Sequence, residues 1–167
     1  MTYKYRTLIA ADFEKAQAFL DVFCTETIFT NQYPGQPPKD KEKTIKQYEN
    51  PDNFFMGVFD ENERMVGSVS ANILRPKHPW SGLVCGFGIS LLKEVYGKGM
   101  ASRLMDEMVA WAKSKGMHRI EGEVRAQNLR AIGLYLHKGF EIEGMKRENA
   151  LIDGVWHNSY MIAKILD

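Results

Sequence analysis

Glu94-Val95-Tyr96-Gly97-Lys98-Gly99-Met100-Ala101-Ser102 joins a glycine-rich strand pattern to the start of a strongly periodic helix. Upstream, Leu83 to Leu92 is largely apolar yet holds Gly86 and Gly88. Glycine weakens a strand, so its presence there points to a bulge or to another backbone lying close. Downstream, Leu104, Met108, Trp111 and Ala112 recur at helical spacing between Met100 and Lys115, and Gly116 is a suitable stop. The first turn of a helix carries unpaired N–H groups and the positive end of the helix dipole, and glycines let a ligand approach the backbone. A pyrophosphate fits naturally at that point. A bare Gly-x-Gly is equally a tight turn leading into a helix. The segment has neither the Gly-x-x-x-x-Gly-Lys-Ser/Thr of a nucleotide-triphosphate loop nor the third glycine and early placement of a dinucleotide fold.

On either side the chain alternates between strand and helix patterns. Tyr3 to Ile9 reads as a strand, followed from Asp12 by Phe13, Ala16, Phe19, Leu20 and Phe23 at helical spacing. Asn31 to Asp40 holds Pro34, Gly35, Pro37 and Pro38 and is an exposed loop, after which Asp40 can cap a short helix through Tyr48. Phe54 to Phe59 and Met65 to Leu74 form a hairpin around Asp60-Glu61-Asn62-Glu63. Arg119 to Arg125 alternates as a strand, Asn128 can cap a helix bearing Ala131, Ile132 and Tyr135, and Gly139 ends it. Phe140 to Gly144 and Val155 to Ile165 complete the set as strands. The expected order is β-α-α-β-β-β-α-β-α-β-β, an α/β chain with a mixed sheet and helices on its faces.

Composition narrows the class. A chain of 167 residues falls within one domain's range, so residues 1–167 are read as a single domain that buries roughly two-thirds of its unfolded surface. The apolar share of 44% and charged share of 26% exclude disordered, collagen-like and disulfide-scaffold classes. Net charge is +1 with the two signs interspersed, which argues against nucleic acid as a partner. The opening residues lack the apolar stretch of a signal peptide, and no segment reaches the roughly 18 apolar residues of a membrane span, so a cytoplasmic protein without membrane contact is expected. Cys24 and Cys85 are far apart and join no metal-ligand spacing; both read as reduced core thiols, and no metal is expected.

Glu94 to Ala101 resembles the Gln/Arg-x-x-Gly-x-Gly/Ala signature of GNAT acetyltransferases, and is followed at the right distance by Asn128-x-x-Ala131-x-x-x-Tyr135 and by Gly139-Phe140. The resemblance is sharpest from Leu83 onward and extends to the Glu143-Gly144 and Ile152-Asp153-Gly154 turns. Within the family it is nearest the branch of ribosomal-protein N-terminal, polyamine and small-molecule acetyltransferases. The first third, where such enzymes read their acceptors, matches loosely. Glu94 departs from the usual Gln or Arg; a carboxylate near a pyrophosphate is mildly unfavourable, although contact there comes mainly from backbone N–H groups.

The resemblance implies the acyl-coenzyme A N-acyltransferase fold and transfer of an acetyl group from acetyl-coenzyme A to a primary amine: a peptide N-terminus, an amino acid, a polyamine or another small amine. It assigns Ile89, Ser90 and Leu91 to the pantetheine arm, lying in a gap like an extra strand. It assigns Tyr96, Gly97, Lys98, Gly99, Met100, Ala101 and Ser102 to the pyrophosphate, with Lys98 or Arg103 available to the remaining phosphate or simply part of a solvated helix face. Tyr135 matches the tyrosine that protonates the departing thiolate, and Asn128 would cap its helix and bond the cofactor arm. Glu123, twelve residues before Tyr135, matches the glutamate proposed as base. Glu121 and Glu123 also alternate along a strand and are compatible with mere solvation, as a tyrosine on an amphipathic helix is with packing. His78, His118, His137 and His157 match no motif. A homodimer, with Trp80 or Trp156 at its interface, and a non-catalytic acyl-coenzyme A sensor of the same fold are the other readings.

Overall fold

The computed structural model describes residues 2–167. Its elements are β1 (Lys4–Thr7), α1 (Phe13–Glu26), α2 (Lys41–Glu49), β2 (Asn53–Phe59), β3 (Met65–Ile73), β4 (Val84–Leu91), α3 (Met100–Ser114), β5 (Arg119–Arg125), α4 (Leu129–His137), β6 (Glu141–Ile152) and β7 (Val155–Ile165), with short 3-10 turns at Ala10–Asp12 and Lys93–Val95. The strands form one seven-stranded sheet in the order β1-β2-β3-β4-β5-β7-β6. β4 and β5 run parallel; every other pairing is antiparallel.

The two faces of the sheet carry different helices. Phe54 stacks on Trp111 of α3, while Phe55, the next residue, meets Tyr48 of α2 edge-on. Directly opposed strand residues share a face, so the register Phe54↔Ala71↔Phe87 puts Phe87 on the α3 face, where its ring meets Tyr135 of α4. α3 and α4 therefore cover one face; α1 and α2 lie on the other. Leu104, Met105 and Met108 of α3 are fully buried with Val58, Val66 and Val69 of the sheet. Burying side chains of this size contributes about 1.5–3 kcal/mol each.

Local chemistry sets the ends of the elements. Asp40 accepts a hydrogen bond from the Lys43 amide at 2.8 Å and Asn128 accepts one from Ala131 at 3.2 Å, each satisfying an N–H of a first turn. Near the N-terminus, Arg6 donates to both oxygens of Asp12, at 2.5 and 2.8 Å, and Ile9 N donates to the same carboxylate. This pair ties β1 to the start of α1, and the Arg6 guanidinium holds the Asp12 carboxyl below the usual carboxylate range.

Two boundaries differ from the expected ones. β1 stops at Thr7 rather than Ile9 because the Ala10–Asp12 turn takes over. β6, expected to end at Gly144, continues to Ile152 and forms a long hairpin with β7 through Asp153 and Gly154, which have φ of 49° and 78°. The Asp-Gly turn with both φ positive suits a two-residue hairpin. β6 escapes detection because most of it is exposed and its pairing slips at Ile142/Gly144 and at Lys146/Ala150, which erases the alternation a half-buried strand shows. Among the described residues no helix is long and apolar enough to cross a membrane.

Candidate active site

The site begins where two strands part. β4 and β5 pair only at Val84↔Arg119, Cys85↔Ile120 and Gly86↔Glu121. Beyond these positions Phe87–Leu91 and Gly122–Arg125 border a gap in the sheet. Phe87 is the first residue past the last pair, and its ring lies against Gly122: a Cβ at Gly122 would stand 2.7 Å from Phe87 Cε1. Ile89, Ser90 and Leu91, the residues expected to meet a pantetheine arm, lie on the β4 edge of this gap.

Tyr135 stands beside the same opening on the α3/α4 face. It is 6% exposed, with its ring 5.5 Å from Phe87 and 6.0 Å from Phe140. Burial alone pushes its phenol up to about 12, so at neutral pH it is a protonated donor. Phe87, absent from the sequence expectations, is the residue that links the gap to Tyr135; its signal was only an aromatic between two glycines.

On that face the chain also forms an anion cradle. Gly97 and Gly99 adopt φ of 76° and 74°, a left-handed conformation that favours glycine, and nothing lies within 4 Å of where their Cβ atoms would be. Gly99 is the N-cap of α3 and offers no side-chain cap. The amides from Gly97 to Ser102 donate to no other described residue. Such a row of free N–H groups at a helix N-terminus fits the diphosphate of a coenzyme A ester. Lys98 donates to the Tyr3 hydroxyl at 2.9 Å, Arg103 lies 3.9 Å over the Tyr5 ring, and Arg130 lies 4.5 Å over Tyr96. These contacts place three cations around the cradle. Glu94 does not point a bare charge at it: Arg64 pairs with Glu94 and also with Asp60.

On the opposite, α1/α2 face the gap opens into a cleft of about 480 Å³. Ser70, Asn72, Glu121, Glu123, Lys146 and Met161 line it, and Gly86 and Gly88 leave part of its floor bare. Its charges are paired. Lys146 donates to Glu123. Arg119 bridges Glu121 at 2.8 Å and Glu143 at 2.7 Å, which holds the Glu143 carboxyl below its usual range. Cys85 faces the other way, fully buried, with its thiol pushed up to about 11 by burial. Among the described residues no group of three or more His, Cys, Asp or Glu is gathered as a metal site.

The model of the acetyltransferase (GNAT) family matches residues 21–140, a span that holds the cradle, Glu123, Asn128 and Tyr135. The chain belongs to the GNAT acetyltransferase family. Among its GNAT relatives, ribosomal protein uS5-alanine N-acetyltransferase of Escherichia coli (strain K12) is 28% identical over 113 residues, which cover 66% of this chain and 56% of that protein. The L-amino acid N-acetyltransferase AaaT of the same organism is 32% identical over 105 residues, covering 60% of this chain and 62% of that protein. The match thus spans less than two-thirds of either relative. A GNAT acetyltransferase of Streptococcus pneumoniae has the same fold, with a TM-score of 0.89 at 24% identity over 99% of this chain and 100% of that one.

Proposed function

We propose that this GNAT chain moves the acetyl group of acetyl-coenzyme A directly onto a primary amine. The observation that carries the reading is the gap between β4 and β5, which opens the sheet between an amide cradle on one face and a charged cleft on the other. Acetyl-coenzyme A, when bound, supplies an activated thioester. The amides from Gly97 to Ser102 hold its pyrophosphate, the β4 edge at Ile89, Ser90 and Leu91 holds its pantetheine arm, and Asn128 both caps α4 and meets that arm.

Tyr135 keeps a proton on its hydroxyl for the leaving sulfur. A phenol near 12 is a reluctant donor to an ordinary thiolate, but the dry surroundings that raise the phenol also raise a thiolate formed beside it, which narrows the mismatch. Glu123 takes the proton of the incoming amine from the cleft side, with Lys146 released as the amine arrives. An α-amino group, with a reference pKa near 8, needs less help from a base than a lysine or polyamine nitrogen above 10. The two Escherichia coli relatives are named for acceptors that carry such a group, an alanine and L-amino acids. An α-amino acceptor is therefore our reading.

The test is release of free coenzyme A from acetyl-coenzyme A in the presence of free amino acids, short peptides with varied N-termini, polyamines and aminoglycosides, with Tyr135→Phe alongside. Turnover on an α-amino acceptor, lost in the variant while acetyl-coenzyme A binding is kept, is the expected result. Binding of acetyl-coenzyme A with no turnover on any amine would favour a cofactor sensor of the same fold, and no binding at all would end the proposal.

A further inference from the structure

Arg125 closes β5, and its register partner Ser159 shows that its side chain turns onto the α1/α2 face, the face of the cleft. It is 9% exposed and shares with Asp12 the distinction of being a charged residue buried among the described residues. Their charges are met differently. Asp12 has Arg6, whereas Arg125 meets no carboxylate among the described residues. Its Nη1 donates to the Ser159 hydroxyl and its Nη2 to Asn31 Oδ1, both at 2.8 Å, and its Nε is buried without a partner. Neutral oxygens satisfy donors without cancelling the charge. A buried guanidinium lacking a counter-charge is costly to keep.

The position of this cation gives the cost a purpose. Glu123 is two residues away on the same strand and the same face, a spacing of about 6–7 Å along the strand. Arg119 and Lys146, the cations within the cleft, are already occupied by Glu121, Glu143 and Glu123. Asn31 is exposed and belongs to the segment between α1 and α2, so the guanidinium lies one side chain below the surface. His157, which precedes Ser159 by two residues on β7 and shares its face, has a buried Nδ1 that also lacks a partner. Two orphaned polar atoms thus stand on the cleft's face of the sheet, beyond Glu123 and Met161, the cleft-lining pair nearest to them on β5 and β7.

We infer that the acceptor carries a carboxylate close to its amine, and that Arg125 pairs with this carboxylate while the amine faces Glu123. This rests on the acetyl-transfer reading and names its substrate class: free amino acids, recognised by a planar fork that matches a carboxylate with two parallel hydrogen bonds. A polyamine, cationic throughout, would meet the buried Arg125 charge as a repulsion.

The experiment compares kcat/KM for matched pairs in which only the carboxylate is removed: leucine against 3-methylbutylamine and phenylalanine against 2-phenylethylamine, with spermidine and an alanyl peptide as further acceptors. The wild-type protein should prefer the amino acid of each pair by on the order of tenfold or more, as expected for a charge-assisted contact. Arg125→Gln should erase that preference, raising KM for the amino acids with little change for the amines, and Arg125→Lys should restore part of it. Equal use of both members of a pair, or turnover confined to spermidine or the peptide, overturns the inference and leaves acetyl transfer standing. A preference that survives Arg125→Gln overturns it as well. If Arg125→Gln fails to fold, judged by loss of the melting shift with acetyl-coenzyme A, the wild-type pairs decide alone. Failure of acetyl-coenzyme A to bind the wild-type protein is the separate result that sinks the transfer reading itself.

Discussion

Tyr135 is a phenol whose acidity is set by burial, and its pH behaviour follows from that. With the folded value raised to about 12 from an unfolded value near 10, the stability gained by burying the neutral phenol is complete below about pH 10 and is lost as pH rises toward 12. Activity should therefore show no alkaline fall from this group between pH 7 and 10. A kcat profile that drops near pH 8–9 and loses that limb in Tyr135→Phe would contradict the assignment. The substitution itself should lower kcat by about 10²-fold or more with the dissociation constant of acetyl-coenzyme A held nearly constant, measured by stopped-assay kinetics and calorimetry. Glu94 offers a second test at this scale. Arg64 neutralises it beside the cradle, so Arg64→Ala should weaken acetyl-coenzyme A binding by about threefold to tenfold at low salt, an effect that added salt screens. Adding Glu94→Gln to that variant should recover the affinity; if it does not, the Arg64 effect is structural rather than electrostatic.

At the scale of elements, the gap depends on Gly122 as much as on the residues that line it. A methyl there would press on the Phe87 ring, which is held between Tyr135 and Phe140 and has little room to retreat. Gly122→Ala should cost about 1–3 kcal/mol, read as a fall in melting temperature of several degrees, and should cut turnover more than acetyl-coenzyme A binding because the displaced ring bears on Tyr135. Normal turnover in a stably folded Gly122→Ala protein would show that Phe87 does not set the mouth of the gap. The same elements show what a sequence discloses. α3 was legible because its apolar residues repeat at helical spacing, and α2 and α4 because Asp40 and Asn128 cap them. β6 was not, because it is exposed through most of its length and slips register twice. The gap was hinted at by Gly86 and Gly88, but the alternation of Arg119 to Arg125 says nothing about where its pairing with β4 stops. The pairs Lys146 with Glu123 and Arg64 with Glu94 join residues 23 and 30 positions apart, distances across which no local pattern reports. Tyr135 and the cradle glycines were legible through motif spacing, whereas Arg125 gave no local sign that it would be buried away from any carboxylate.

Across the whole molecule, the two proposed substrates approach from opposite faces and meet only through the gap, and neither cysteine lies in their path. Cys24 and Cys85 are both free and buried, so neither thiol is open to either substrate. Initial-velocity plots with acetyl-coenzyme A and the amine should therefore intersect, the pattern of a ternary complex. Parallel lines, or an acetylated protein isolated in the absence of amine, would indicate a covalent intermediate instead. The two-faced sheet has a further consequence for how such a protein changes. Ser70, Asn72, Glu121, Glu123, Lys146 and Met161 are separated by the thickness of the sheet from the amides of Gly97 to Ser102. Under the proposed acetyl transfer, acceptor choice can thus be retailored by a library restricted to one side of the wall while the proposed cofactor seat on the other side is inherited intact, which makes the fold modular at the grain of alternate residues within single strands.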